Sequence, residues 1–160
     1  MTIVFLESGY GTKSNHNFTL GISSDETVML DLDDTDFKTA QYWAERAMNW
    51  FNLGGYVILK SSSSCYHVMF NRPVDWPENM RVVAWVAYLS GNEGLQRWHR
   101  MQCIKMKSTL RVGPKNDKPS PRIVKRVGEQ DKQIQGFIKV RNEVKNILNN
   151  LTNCASANQD

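Results

Sequence analysis

Three short segments of this chain carry residue types that can do chemistry: Asp31-Leu32-Asp33, Lys60 to His67, and Thr109 to Lys115. On an extended strand, residues i and i+2 point to the same face, so Asp31 and Asp33 converge while Leu32 turns to the core. Two carboxylates held together repel each other unless a cation lies between them. Oxygen-only ligation selects a hard ion such as Mg²⁺ or Mn²⁺. A strand end just before a helix is also where open α/β sheets place their active sites. Acids at this place also suit helix capping, a role open to Asp33, Asp34 and Asp36 that leaves Asp31 unexplained.

In the second segment, Lys60-Ser61-Ser62-Ser63-Ser64-Cys65-Tyr66-His67, small residues let backbone N–H groups and hydroxyls approach an anion closely. His67 can donate a hydrogen bond to a phosphate oxygen. A polar hairpin with a satisfied histidine is the plain alternative. In the third, Arg111 precedes a Gly113-Pro114 turn to Lys115, which brings two cations near one point. Arginine grips phosphate through two N–H groups and lysine neutralises a neighbour; the plain alternative is two surface charges beside a turn.

Other chemistries fit less well. No serine sits on a glycine-flanked elbow, so Ser-His-Asp hydrolysis is disfavoured. A metal nuclease built on Asp31 and Asp33 wants an acid-x-lysine on an adjacent strand, and Lys105 and Lys107 have no such acid. A rolling-circle nicking site needs two histidines flanking one apolar residue and a catalytic tyrosine. His16-Asn17 and Tyr66-His67 do not supply it.

The elements that must position these segments alternate between strand and helix. Val28 to Asp33 reads as a strand ending in carboxylates, with Asp34 or Thr35 as cap of a helix from Phe37 that stops at Gly54-Gly55. Tyr56–Leu59 and Tyr66–Phe70 read as strands joined through the serines. A helix beginning near Pro77 carries Val82, Trp85, Val86 and Leu89 and ends near Gly91. Residues 92 to 100 read as a turn or short helix, and Met101–Met106 and Ser108–Val112 as strands or one bent strand. Gly113 to Arg122 is expected as a loop, Gln130 to Leu151 as a helix, and residues 152–160 as a flexible tail. The expectation is an α+β fold with an early β-α-β unit, a mixed sheet flanked by helices, in one domain over residues 1–151.

Composition is that of a globular chain: 160 residues, 41% hydrophobic and 22% charged. Three cysteines, Cys65, Cys103 and Cys154, lie far apart and outside any CxxC spacing, which argues against structural zinc and for a reducing compartment. With no membrane-length apolar run and no leader-like start, the expected location is cytoplasmic, with no membrane partner. The net charge of +4 is uneven. Acids gather in residues 1–40, whereas residues 105–126 carry Lys105, Lys107, Arg111, Lys115, Lys118, Arg122, Lys125 and Arg126 against Asp117 alone. That polarity suits a place where metal ions and phosphates meet.

In order and spacing, the LDLD strand end, the SSSSCYH turn and strand, and TLRVGPK together resemble the archaeo-eukaryotic primase superfamily, the primase–polymerases, over roughly residues 28 to 115. The resemblance implies a primase-polymerase-like fold, and a metal-dependent, template-directed nucleotidyltransferase acting in DNA replication. It implies Asp31, Asp33 and His67 as catalytic residues, with Asp31 and Asp33 holding Mg²⁺ or Mn²⁺. Ser62, Ser64, His67, Arg111 and Lys115 would bind the nucleoside triphosphate. The basic stretch from Lys115 to Arg126 would track a single-stranded DNA or RNA template, and a replication helicase or initiator would be a partner. Trp76 and Trp98, near expected loops, are the candidates for base stacking.

Two departures from the family pattern stand out. The third carboxylate normally found between the histidine and the basic motif is missing from Leu95 to Thr109, leaving Glu93 as the nearest candidate and Gln102 at a comparable strand position. Cys65 stands where the family has glycine. The alternative is therefore a catalytically degenerate relative that binds nucleotide or single strands as a replication accessory protein.

Overall fold

The computed structural model describes residues 1–8, 17–116 and 118–157, so His16, Asp117 and the end of the tail lie outside the described residues. The chain is α+β, with two antiparallel sheets and four helices among the described residues. Strands β1 (Thr2–Ser8) and β2 (Asn17–Ser24) pair as antiparallel neighbours, and β6 (Ser108–Arg111) adds to β2, giving the order β1-β2-β6. The second sheet contains β3 (Met29–Leu32), β4 (Gly55–Ser62), β5 (Cys65–Phe70) and β7 (Arg122–Gly128) in the order β3-β5-β4-β7. Both β3 and β4 run antiparallel to β5, so they are parallel to each other with β5 between them. The expected β-α-β unit is present in this split form, with α1 (Phe37–Trp50) as its crossover.

Alternation along the second sheet builds two apolar layers, because successive side chains point to opposite faces. Leu30, Leu32, Tyr56, Ile58, Val68 and Phe70 join one buried cluster with α1, α2 (Trp76–Ser90) and Leu95 of α3 (Glu93–Lys105). Met29, Val57, Leu59 and Met69 face the other way and meet Leu20, Ile22 and Leu110 of the first sheet, and α4 (Gln133–Ala157). Burying one such side chain completely is worth about 1.5–3 kcal/mol. A register slip of one residue on β3 would therefore exchange Leu30 and Leu32 for Asp31 in the core.

Buried amides tie the layers together. Asn79 Nδ2 donates to Asp25 O and Thr27 O, both at 3.0 Å. Asn71 Nδ2 donates to Asp131 Oδ1 at 2.9 Å, while its Oδ1 accepts from Lys132 N at the start of α4.

Several local expectations are corrected. Of the capping candidates Asp33, Asp34, Thr35 and Asp36, the cap of α1 is Asp36, whose Oδ1 accepts from Thr39 N at 2.7 Å. Residues 101–106 are not a strand: α3 runs through Lys105, capped by Asn92, and Met106 closes it in the left-handed region. Met101 and Ile104 are exposed, and the helix is anchored through Leu95 and Gln102. The basic stretch beyond Arg122 is strand β7, and α4 continues through Ala157, beyond the expected end at Leu151. Strands β1 and β2 were not foreseen. Pro77 sits in the first turn of α2, and Gly91, at φ 67°, ends that helix as expected.

Candidate functional site

The apolar layer between the two sheets ends in polar side chains. Asp31 on β3 and His67 on β5 are direct cross-strand partners, and His67 Nε2 lies 3.4 Å from Asp31 Oδ1. Asp31 shares its face with the buried Met29, and His67 shares its own with Met69, so both lie on the layer's rim. The edge of β3 approaches β6, which brings Arg111 opposite. Asp31, Asp33, Ser62, His67, Arg111 and Lys115 all line one cavity of about 270 Å³.

Burial and Asp33 together push the Asp31 carboxyl up to about 7, opposed by Arg111. The side chain is still 28% exposed, at the mouth of the cavity. His67 is shifted down to about 3 by burial and then by the Arg111 charge, so it is a neutral imidazole near pH 7. Its contact with Asp31 would favour the charged ring, but burial outweighs that attraction.

Asp33 lies past the end of β3 in a corner held from two sides. Asn92 Nδ2 donates to Asp33 O at 2.8 Å and to Thr35 Oγ1 at 3.0 Å, while Asn92 Oδ1 caps α3 by accepting from Leu95 N. Thr35 N donates to Ser64 O at 2.9 Å, fixing the corner to the serine turn. Gly94 packs so closely that an added Cβ would stand 2.9 Å from Asp33 Cβ and 3.0 Å from its Oδ2.

Arg111 is less free than its sequence setting suggests. Its Nη1 donates to Gly113 O at 2.7 Å and Pro119 O at 3.0 Å, and its Nη2 donates to Ser61 O at 2.8 Å. A guanidinium has five N–H groups, so Nε–H and one Nη2–H are left for a ligand. Arg111 is thus a brace between strands as well as a charge on the cavity. Lys115 and Lys118 exchange backbone hydrogen bonds across a turn, and both line the cavity.

Two expected residues are not brought to this cavity. Ser64 belongs to a separate depression beside Thr35, Phe37 and Tyr66. Glu93 is exposed in the first turn of α3 and does not line the cavity. Gln102 is on a helix rather than a strand, buried, with Oε1 accepting from Thr109 N at 3.0 Å. Trp98 Nε1 donates to Thr109 O, and Trp76 and Trp98 both pack against the core while staying partly exposed; the exposed tryptophan is Trp50, stacked on Trp85 at 5.9 Å. The site gains Ser61, Cys65, Thr109 and Lys118. Lys118 was readable only as one charge in a basic stretch.

No family model, curated protein or solved structure matches this chain.

The donor set fits a hard divalent ion. Asp31 and Asp33 are both carboxylates, and Asp31 is pushed up first by burial and then by the neighbouring Asp33 charge, both of which a bound cation would offset. Among the described residues, no three His, Cys, Asp or Glu side chains form a metal-holding group. A Mg²⁺-type ion bound through one or two carboxylates completes its shell with water and substrate phosphates, which makes two acids sufficient when a polyphosphate is present. No helix among the described residues is long and apolar enough to cross a membrane.

Proposed function

We propose that the chain is a metal-dependent nucleotidyltransferase that takes a nucleoside triphosphate in this cavity and extends a strand on a single-stranded template. The observation that carries the reading is the juxtaposition in one cavity of two carboxylates with Arg111, Lys115 and Lys118. Carboxylates alone suit a cation and cations alone suit a phosphate. Both in one cavity suit a metal-bound polyphosphate.

Asp31 and Asp33 would hold Mg²⁺ or Mn²⁺, which when bound supplies Lewis-acid stabilisation of the phosphates and activates the attacking hydroxyl. Lys115 and Lys118 would neutralise the phosphates that leave as pyrophosphate, and the two spare N–H groups of Arg111 would orient them. Neutral His67 would act as a hydrogen-bonding group, with Ser62 donating from the adjacent turn. The basic segment from Lys115 to Arg126 would take the template, whether DNA or RNA, by phosphate contacts. Action in replication, in the cytoplasm and beside a helicase or initiator, follows from the same reading, which agrees with the motif order of the primase–polymerases.

A second reading, binding of nucleotide or single strands without chemistry, is favoured by the exposed position of Glu93 outside the cavity. Extension of a labelled primer on a single-stranded template with Mn²⁺ separates the two. Product from wild type and none from an Asp31→Ala, Asp33→Ala double variant supports the transferase. Nucleotide binding without product supports the binding protein.

A further inference from the structure

Cys65 is a wall residue of the carboxylate cavity that the proposed function leaves without a role. It is half-buried, and its sulfur is the only one lining that cavity among the described residues. Its place follows from the strand register. Asp31 pairs with His67 and Leu32 with Tyr66, so the next position along the same two strands sets Asp33 against Cys65. Side chains two residues apart on a strand share a face, which puts Cys65 on the side of β5 that carries His67. The contacts agree: the Cys65 S–H donates to the Asp33 carboxylate, while the Ser62 hydroxyl and Asp34 N–H donate to the sulfur.

The pair is also held in position. Thr35 N donates to Ser64 O at 2.9 Å, which ties the residue before Cys65 to the corner after Asp33. Ser62 is the register partner of Cys65 across the turn between β4 and β5, and Asn92 Nδ2 holds Asp33 O at 2.8 Å. A carboxylate and a thiol in mutual contact on one cavity are two metal donors of different kinds. Carboxylate oxygen suits any divalent ion. Thiolate sulfur suits softer ions such as Co²⁺, Zn²⁺ and Cd²⁺ and contributes little to Mg²⁺. Because no three such side chains form a closed metal-holding group among the described residues, the remaining positions of the shell fall to water and phosphate.

We propose that Cys65 is a ligand of the ion held at Asp33, and that it makes this site select a thiophilic divalent ion over Mg²⁺. On coordination the S–H bond breaks, its proton passes to water, and a sulfur lone pair binds the ion. The inference rests on the proposed metal site at Asp31 and Asp33 and adds to it the class of metal.

The test uses Co²⁺ and Cd²⁺ as probes on the full chain with the exposed Cys103 and Cys154 replaced by serine, which leaves Cys65 as the only thiol. Either ion should raise a sulfur-to-metal charge-transfer absorption in this parent protein, and Cys65→Ser should abolish it. Cys65→Ser should also weaken Cd²⁺ binding at least about tenfold and change Mg²⁺ binding less than about threefold. Cys65→Ala should lose Cd²⁺ in the same way, and a melting temperature near the parent's in either variant assigns the loss to ligation rather than unfolding. Cd²⁺ binding by the parent without charge-transfer absorption, or with an affinity that neither substitution changes, would overturn the proposal and leave the carboxylate site standing. The metal reading is scored apart from this by Asp31→Asn with Asp33→Asn in the same parent, which should lose Mn²⁺ as well as Cd²⁺. Unchanged Mn²⁺ affinity in that variant would contradict the carboxylate site itself. Charge-transfer absorption of full strength there, at the parent's Cd²⁺ affinity, would overturn the pairing of Cys65 with Asp33.

Discussion

Asp31 and His67 face each other across adjacent antiparallel strands, with Oδ1 and Nε2 3.4 Å apart, and burial suppresses the charge of both. The pair would ordinarily be read as an ion pair. Here the carboxyl is raised to about 7 and the imidazole lowered to about 3, so near neutral pH they are a partly protonated acid beside a neutral ring. Such a carboxyl is poised for a cation that is not a side chain.

The metal-free protein should therefore be destabilised by Asp31 as pH rises. A folded pKa above the ordinary 3.8 gives stability that is complete below pH 4 and lost as pH climbs through about 7. Asp31→Asn, which mimics the protonated acid, should match wild type near pH 4 and exceed it at pH 8 in EDTA. The gap expected is about 2 kcal/mol, reduced from the full linkage value because the side chain is partly exposed. Saturating Mn²⁺ should reverse the order. His67 acts in the opposite sense: its lowered pKa gives stability that is complete above pH 6.5 and lost as pH falls toward 3, so His67→Gln should flatten the acid limb. Thermal melts across pH 4 to 8 measure both.

Arg111 and Lys115 should separate on stability. Arg111→Ala removes three hydrogen bonds from a charged donor, two of them to the distant carbonyls of Ser61 and Pro119, and should cost about 2–3 kcal/mol as well as nucleotide affinity. Lys115→Ala should leave the melting temperature within about 1 °C, as surface substitutions do. It should weaken triphosphate binding about tenfold, the effect of one lost charge-assisted contact, and single-strand binding much less. Calorimetric melts beside nucleotide and oligonucleotide titrations give the comparison.

Gly94 should matter for metal affinity more than for the fold. A Cβ there meets Asp33 Cβ and Oδ2 at 2.9 and 3.0 Å, so Gly94→Ala must shift the Asp33 corner and its carboxylate. The gain in helix propensity from alanine, at most about 1 kcal/mol, offsets part of that cost, so the melting temperature should fall only modestly. Mn²⁺ affinity should fall about tenfold, as for the loss of an orienting contact at a metal site. Gly136→Ala, where an added Cβ meets nothing within 4 Å, should leave it unchanged.

The central elements were legible because their side chains obey one period at a time. Val28 to Leu32 is a short apolar run ending in carboxylates, Tyr66 to Phe70 alternates in face, and Phe37, Ala40, Ala44 and Ala47 repeat at helical spacing, so β3, β5 and α1 could be drawn from sequence. Strand β7 was hidden by its charges: Arg122, Lys125 and Arg126 leave only Ile123, Val124 and Val127 to mark it, and a bulge near Leu59 breaks their alternation. Helix α3 was cut short because Met101 and Ile104 are apolar yet exposed, whereas the buried anchor Gln102 is polar. At the site, Asp31, Asp33, Ser62, His67, Arg111 and Lys115 converge because their strands bring one face to one rim. Ser64 fails that test because the turn directs it beside Thr35, and Glu93 because α3 presents it to solvent. The bracing role of Arg111 was unreadable, since it depends on Ser61, 50 residues away in sequence, and on the loop after Gly113 folding back to bring Pro119 to it.

The most direct test of the carboxylate cavity is a titration of Mn²⁺ at pH 8, with and without a nucleoside triphosphate, on wild type and on Asp31→Asn with Asp33→Asn. Wild type should bind Mn²⁺ at least tenfold more tightly when the triphosphate is present, since its phosphates complete the shell that two carboxylates begin, and the double variant should lose that gain. Equal Mn²⁺ and triphosphate binding by the two proteins would contradict a metal–polyphosphate site at Asp31 and Asp33.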